Sequence, residues 1–283
     1  MKNHINSKEQ ALFITGQSGR LEALLFQFPE EKEEEEEKEA DLPEPTMPVT
    51  TGVRTSKMRS SKMRASKMRS SKIGIVCHPH PLHQGSMQNK VVTTIVKAWQ
   101  ELGMDTLRFN FRGVGLSEGE YGNGEGEQED LKSVLDWVLQ QYPNPEICLG
   151  GFSFGAFISA KIAAQNGQDG QNAQKAQKAQ NEHSLPNEQN NLKYYPLRAL
   201  LSVAPPLRFF SFAMEKLPAI PWIIIQGDKD ELVDYEEVVA WYHEIKSRKS
   251  DVQLITFKDT THFFHGKLIE LKNEIMNALK SYF

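Results

Sequence analysis

A chain of 283 residues with 39% apolar side chains carries enough material for one large core, and its 33 basic against 37 acidic residues exclude a global bias toward nucleic acid or an anionic membrane. The only two cysteines, Cys77 and Cys148, each fall inside an apolar run that reads as a buried strand, so free thiols and a reducing compartment are expected rather than a disulfide framework. No stretch approaches the roughly 20 apolar residues of a membrane span, and the first apolar run leads into a glutamate tract instead of a cleavage site, so a cytoplasmic protein without a signal peptide is expected.

In chain order, the first candidate strands are Ala11 to Thr15 and Leu21 to Phe28. A segment of foreign composition, 30–72, follows. It holds a glutamate block, three spaced prolines (Pro43, Pro45, Pro48) and a Ser-Lys-Met-Arg repeat from Ser56 to Ser70. Blocks of like charge repel and bury too little apolar surface to offset chain entropy, so a solvated loop is expected, with no partner assigned to it. Strand Ile73 to Cys77 comes next, then a helix whose Val91, Val92, Ile95, Val96, Trp99 and Leu102 share one face, with Gly103 as its C-cap. Strand Thr106 to Phe111 precedes a helix marked by Leu131, Val134, Leu135 and Val138 and stopped by Pro143. Strand Ile147 to Gly151 leads into a third helix and a second insertion, 165–191, rich in Gln, Asn, Lys and Ala. Strands Ala199 to Val203, Trp222 to Gln226 and Val252 to Phe257 close the pattern, with helices over Glu236 to Ile245 and Lys267 to Leu279. Apolar runs without polar alternation, separated by helices, predict a single α/β domain: a mostly parallel sheet covered on both faces, with its ligand site at the carboxyl ends of the strands.

The sharpest local signal is Gly151-Phe152-Ser153-Phe154-Gly155, directly after a strand and before a helix-forming run. A serine there sits on a strained turn with its hydroxyl exposed, and the flanking glycines let the backbone fold sharply. A serine hydroxyl is a weak nucleophile at neutral pH, so a base and an orienting acid are required later in the chain. Gln226-Gly227-Asp228-Lys229-Asp230-Glu231 follows the seventh strand, and Asp259-Thr260-Thr261-His262-Phe263-Phe264-His265 follows the eighth. Asp230 is the preferred acid, with Asp228 holding the loop and Asp234 capping the next helix. His262 is the preferred base over His265. The oxyanion formed on a substrate carbonyl needs backbone donors. Phe154 N–H is one candidate. The other is His80 N–H in His78-Pro79-His80-Pro81-Leu82-His83, because the prolines have no N–H to give. Those three histidines lack a carboxylate or cysteine set at metal-ligand spacing, so neither a metal nor a cofactor is expected. Leu82, Phe152, Phe209 and Phe210 are the candidate substrate-pocket residues.

These segments resemble the α/β-hydrolase superfamily, and its small, cap-poor esterase-like members in particular. His78-Pro79-His80-Pro81 is similar to the family's His-Gly-x-Pro oxyanion loop, with Pro79 in the place of glycine. Phe111-Arg112-Gly113-Val114-Gly115-Leu116-Ser117 looks like its Arg-Gly-x-Gly-x-Ser turn. The resemblance implies an α/β-hydrolase fold of eight mostly parallel strands with the second antiparallel, and no large cap, since only Ala204 to Ile220 separates the sixth and seventh strands. It also implies a Ser153, His262, Asp230 triad acting on a small-molecule acyl substrate, an ester or thioester. A peptidase of the same fold and a non-catalytic binding module are the rival readings.

Overall fold

The computed structural model describes residues 9–28, 72–166, 194–212 and 216–282. The two expected insertions lie outside them except at their margins, where the bound of the first needs correcting. Lys72 already opens a strand, and Gln165 and Asn166 still belong to a helix. Asn166 also ties the two ends of the second insertion together: its carboxamide donates to the Tyr195 carbonyl at 2.9 Å and accepts the Tyr195 N–H at 2.7 Å.

Eight strands form one sheet: β1 (Gln10–Gly16), β2 (Gly19–Phe26), β3 (Lys72–Cys77), β4 (Asp105–Phe109), β5 (Glu146–Phe152), β6 (Leu197–Val203), β7 (Trp222–Gly227) and β8 (Val252–Phe257). Their spatial order is β1-β2-β4-β3-β5-β6-β7-β8. β2 runs antiparallel to both its neighbours, and every pair from β4 through β8 is parallel. Parallel pairs need crossover connections, most of which helices supply; that from β6 to β7 has none among the described residues. The helices are α1 (Lys90–Glu101), α2 (Glu125–Gln141), α3 (154–166), α4 (Tyr235–Arg248) and α5 (Leu268–Leu279).

Alternation along each strand divides the interior in two. Ile73, Ile75 and Cys77 of β3, with Ile147 and Leu149 of β5, join the core formed against α2, α3 and α4. Val76, Cys148 and Phe152 face the other way, into the core formed against α1 and α5. This explains runs with no polar alternation: both strand faces are covered. On the α1 face the fully buried Trp99 indole lies across the sheet at Gly74 and Gly150. A Cβ on Gly74 would fall inside the indole ring, and one on Gly150 would approach it to 2.8 Å.

Capping fixes where the helices begin. The Asn89 side chain accepts the Val91 N–H at 2.8 Å to open α1, and Asp234 accepts the N–H groups of Glu236 and Glu237 to open α4. At α2 the buried Glu127 carboxylate turns back to the N–H groups of Gly122 and Gly124, at 2.8 and 2.7 Å. Both cysteines are free and buried, and burial pushes each thiol far above its usual range, so neither serves as a nucleophile. Among the described residues no helix is long and apolar enough to cross a membrane.

Candidate active site

Because β3, β5, β7 and β8 run parallel, the loops that follow them emerge at the same edge of the sheet. Those loops carry His80, Ser153, Asp230 and His262. Ser153 is the turn between β5 and α3 and has φ 54°, a left-handed conformation costly for a residue with a Cβ. The turn is held from both sides. Ser153 N–H donates to the Val203 carbonyl at 2.9 Å, and the Ser153 carbonyl accepts the Ala156 N–H at 2.8 Å. Its glycines are needed for close approach. A Cβ on Gly155 would strike the backbone carbonyls of Cys77 and His78, and one on Gly151 would strike Gly155 itself. Gly155 thereby lets the start of α3 lie against the end of β3, which brings the serine turn to the loop that holds His80.

His262 is buried, and its Nδ1 lies 2.8 Å from Asp230 Oδ2. A carboxylate can only accept, so the Nδ1–H is the donor and Nε2 is the basic nitrogen of the neutral ring. The Asp230 carboxylate takes three further hydrogen bonds, from Gln226 Nε2 at 2.9 Å, Leu232 N–H at 2.9 Å and Val233 N–H at 2.8 Å. Burial alone would raise its pKa, but the bond and charge of His262, with the two backbone donors, outweigh it, and the net displacement is downward. The imidazole is packed between Phe152 at 5.0 Å and the edge of Phe263 at 5.1 Å. Its backbone N–H is fixed by Glu231 Oε2 at 3.1 Å. Asp228 Oδ1 receives the Thr260 N–H at 3.3 Å, which joins the two loops.

The loop after β3 is stiffened by its histidines. His78 is fully buried; its Nδ1–H donates to the Pro79 carbonyl at 2.6 Å and its Nε2 accepts the Phe111 N–H at 3.0 Å. Burial, opposed by the Pro79 bond and aided by the charge of His80, lowers its pKa to about 4, so the ring is neutral. His80 precedes the short 3-10 turn Pro81–His83. Its Nδ1 accepts the Leu82 N–H at 3.2 Å, leaving Nε2–H to donate to Tyr121 Oη at 3.0 Å. The His80 carbonyl accepts both His83 N–H and Gly85 N–H. His78 therefore spends both ring nitrogens on the backbone. Among the described residues no three His, Cys, Asp or Glu side chains gather as a metal-ligand set.

A cavity of about 520 Å³ opens between these loops, lined by His80, Ser153, Phe154, Phe209, Phe210 and His262 among others. Two candidate pocket residues are corrected. Phe152 is fully buried on the α1 face because strand alternation points it away from the cavity, where it supports His262 from behind. Leu82 sits on the outside of the 3-10 turn, 67% exposed, and does not line the cavity. Sequence reasoning also missed Gln226, Glu231 and Tyr121 as supports and Gln84, Leu232 and Val233 as lining. The first two adjoin the acid segment and were within reach of inspection; Tyr121 comes from a loop 41 residues from its partner and left no local signal.

A family model described as the alpha/beta hydrolase fold matches residues 82–176. An uncharacterised protein of Rickettsia prowazekii is 32% identical over 215 residues, 73% of this chain and 78% of that one. Together with the sheet topology, these place the chain in the α/β-hydrolase superfamily. Among solved structures, an alpha-beta serine hydrolase homologue from Coxiella burnetii is 37% identical with a TM-score of 0.67, covering 95% of this chain and 97% of the other. A serine hydrolase without a lid from Xanthomonas campestris is 32% identical with a TM-score of 0.66, covering 97% and 95%. Fold and relatives together support hydrolase chemistry.

Proposed function

We propose that the protein is a serine hydrolase that cleaves carboxylic esters or thioesters through an acyl-enzyme, with Ser153 as nucleophile, His262 as general base and Asp230 as the orienting acid. The observation that carries the reading is the His262–Asp230 bond of 2.8 Å in a cavity whose wall also includes the strained Ser153. Asp230 holds the proton on Nδ1, so Nε2 is free to take the proton of the Ser153 hydroxyl as Oγ attacks the substrate carbonyl. The negative charge forming on the carbonyl oxygen is received by Phe154 N–H, at the start of α3 where the first helical donors lack partners, and by His80 N–H. The imidazolium, stabilised by Asp230, then protonates the departing alcohol or thiol. Water attacks the acyl-enzyme by the same route, returning the proton to Ser153 and releasing the acid. No cofactor enters these steps.

The test is hydrolysis of a chain-length series of p-nitrophenyl esters by the wild type and Ser153→Ala. By analogy with another serine hydrolase, turnover in the variant is expected to fall on the order of a million-fold. Ester cleavage that survives the substitution would overturn the assignment.

A further inference from the structure

The cavity has two chemically different sides. Phe154, Phe209, Phe210, Leu232 and Phe263 make an apolar wall, whereas the loop after β3 contributes His83, Gln84 and Asn89. Asn89 is already committed to capping α1. Gln84 is not committed: it is exposed at the rim of the cavity, and its carboxamide has no hydrogen-bond partner among the described residues. The Gln84 backbone is also left-handed, with φ 60° and ψ 21°, at the position ending the 3-10 turn. Glycine adopts that conformation without penalty, and a residue with a Cβ does not. That conformation closes the turn in which Gly85 N–H donates to the His80 carbonyl at 3.0 Å, a role the glutamine side chain itself does not serve. Gln84 and Ser153 are the two non-glycine residues with positive φ in the described wall of this cavity, and strain of this kind collects where function over-determines the backbone.

We propose that Gln84 is a specificity residue whose carboxamide binds a neutral hydrogen-bonding group, a hydroxyl or a carbonyl, on an ester whose other arm is apolar. This rests on the hydrolase reading of the same cavity. The group is neutral because an amide offers both a donor and an acceptor without charge, and among the described residues neither lysine nor arginine lines the cavity to balance a carboxylate or phosphate.

The experiment compares kcat/KM for ethyl valerate, ethyl levulinate (a carbonyl in the acyl arm) and the ethylene glycol monoester of valeric acid (a hydroxyl in the alcohol arm). The proteins are the wild type, Gln84→Gly and Gln84→Met, each also melted thermally, with the wild type labelled by a fluorophosphonate. One neutral hydrogen bond predicts a wild-type preference of about threefold to tenfold for at least one polar ester over ethyl valerate. Both variants are expected to lose that preference. Gln84→Gly should also melt higher than the wild type, whereas Gln84→Met, which keeps the Cβ, should not. Equal rates on all three esters by a wild type that labels would overturn the role of Gln84 alone, as would variants that keep the preference or a Gln84→Gly that melts lower. A wild type that neither labels nor hydrolyses would remove the hydrolase reading beneath it.

Discussion

At the scale of single residues, the site depends on groups held in one protonation state. His78 is the clearest case, since it anchors the loop carrying the His80 N–H while buried and neutral. Its folded pKa of about 4 lies below the ordinary 6.5. Above pH 6.5 neither the folded nor the unfolded chain protonates it, and its contribution is complete. As pH falls below 6.5 the unfolded chain binds a proton that the folded chain refuses, so stability declines until about pH 4, where the folded ring protonates as well. The span corresponds to a loss on the order of 3 kcal/mol. Urea unfolding across this range should show that loss in the wild type and a shallower one in His78→Gln; parallel curves would remove His78 as the cause. The candidates Ser153, Asp230 and His262 were legible in the sequence because each follows a strand end in a fixed chain order. Phe152 was misplaced because its neighbour Ser153 suggested the cavity, whereas the strand pleat turns the ring to the opposite face. Gln84 was illegible because its importance lies in a φ angle that a glutamine does not advertise.

At the scale of elements, continuous apolar runs mark the central strands β3 to β7, whose two faces are both covered, while β1 and β8 at the sheet edges stay partly exposed; the departures are at strand ends. The second strand begins at Gly19, since the hairpin with β1 pairs Gly16 with Gly19, and stops at Phe26 rather than Phe28. The fourth ends at Phe109 rather than Phe111, because Phe111 N–H is taken by the His78 ring instead of a neighbouring strand. The packing of α1 on the sheet hangs on the place where Trp99 meets Gly74 and Gly150, a contact between segments far apart in sequence and hence invisible in either one. Gly74→Ala inserts a methyl group where the indole lies. Overpacking of this kind costs about 1–3 kcal/mol, which denaturant unfolding would register alongside a changed Trp99 fluorescence environment. An unchanged midpoint would mean that α1 shifts freely on the sheet.

At the scale of the whole molecule, the topology separates the candidate site from the points where the first insertion leaves and re-enters the sheet. Phe26 of β2 and Gly74 of β3 both align with Thr106 of β4, so the chain leaves and re-enters the sheet two strands apart, about 10 Å at ordinary strand spacing. The start of β3 is also the edge of the sheet away from the loops bearing Ser153 and His262. Phe28 is held at that edge by its N–H to Asp105 Oδ1 at 2.9 Å. Replacing residues 30–71 with a linker of about six residues, which spans roughly 20 Å when extended, is therefore expected to leave the melting temperature and ester hydrolysis close to those of the full chain. Loss of hydrolysis on this replacement would tie the segment to the site. The measurement that reaches the central claim most directly is intact-mass and peptide mapping of the wild type, Ser153→Ala and His262→Ala after exposure to a fluorophosphonate. The account predicts one adduct on the Ser153 peptide in the wild type, none in Ser153→Ala, and slowed labelling in His262→Ala. An adduct on another residue, or one that persists in Ser153→Ala, would contradict it.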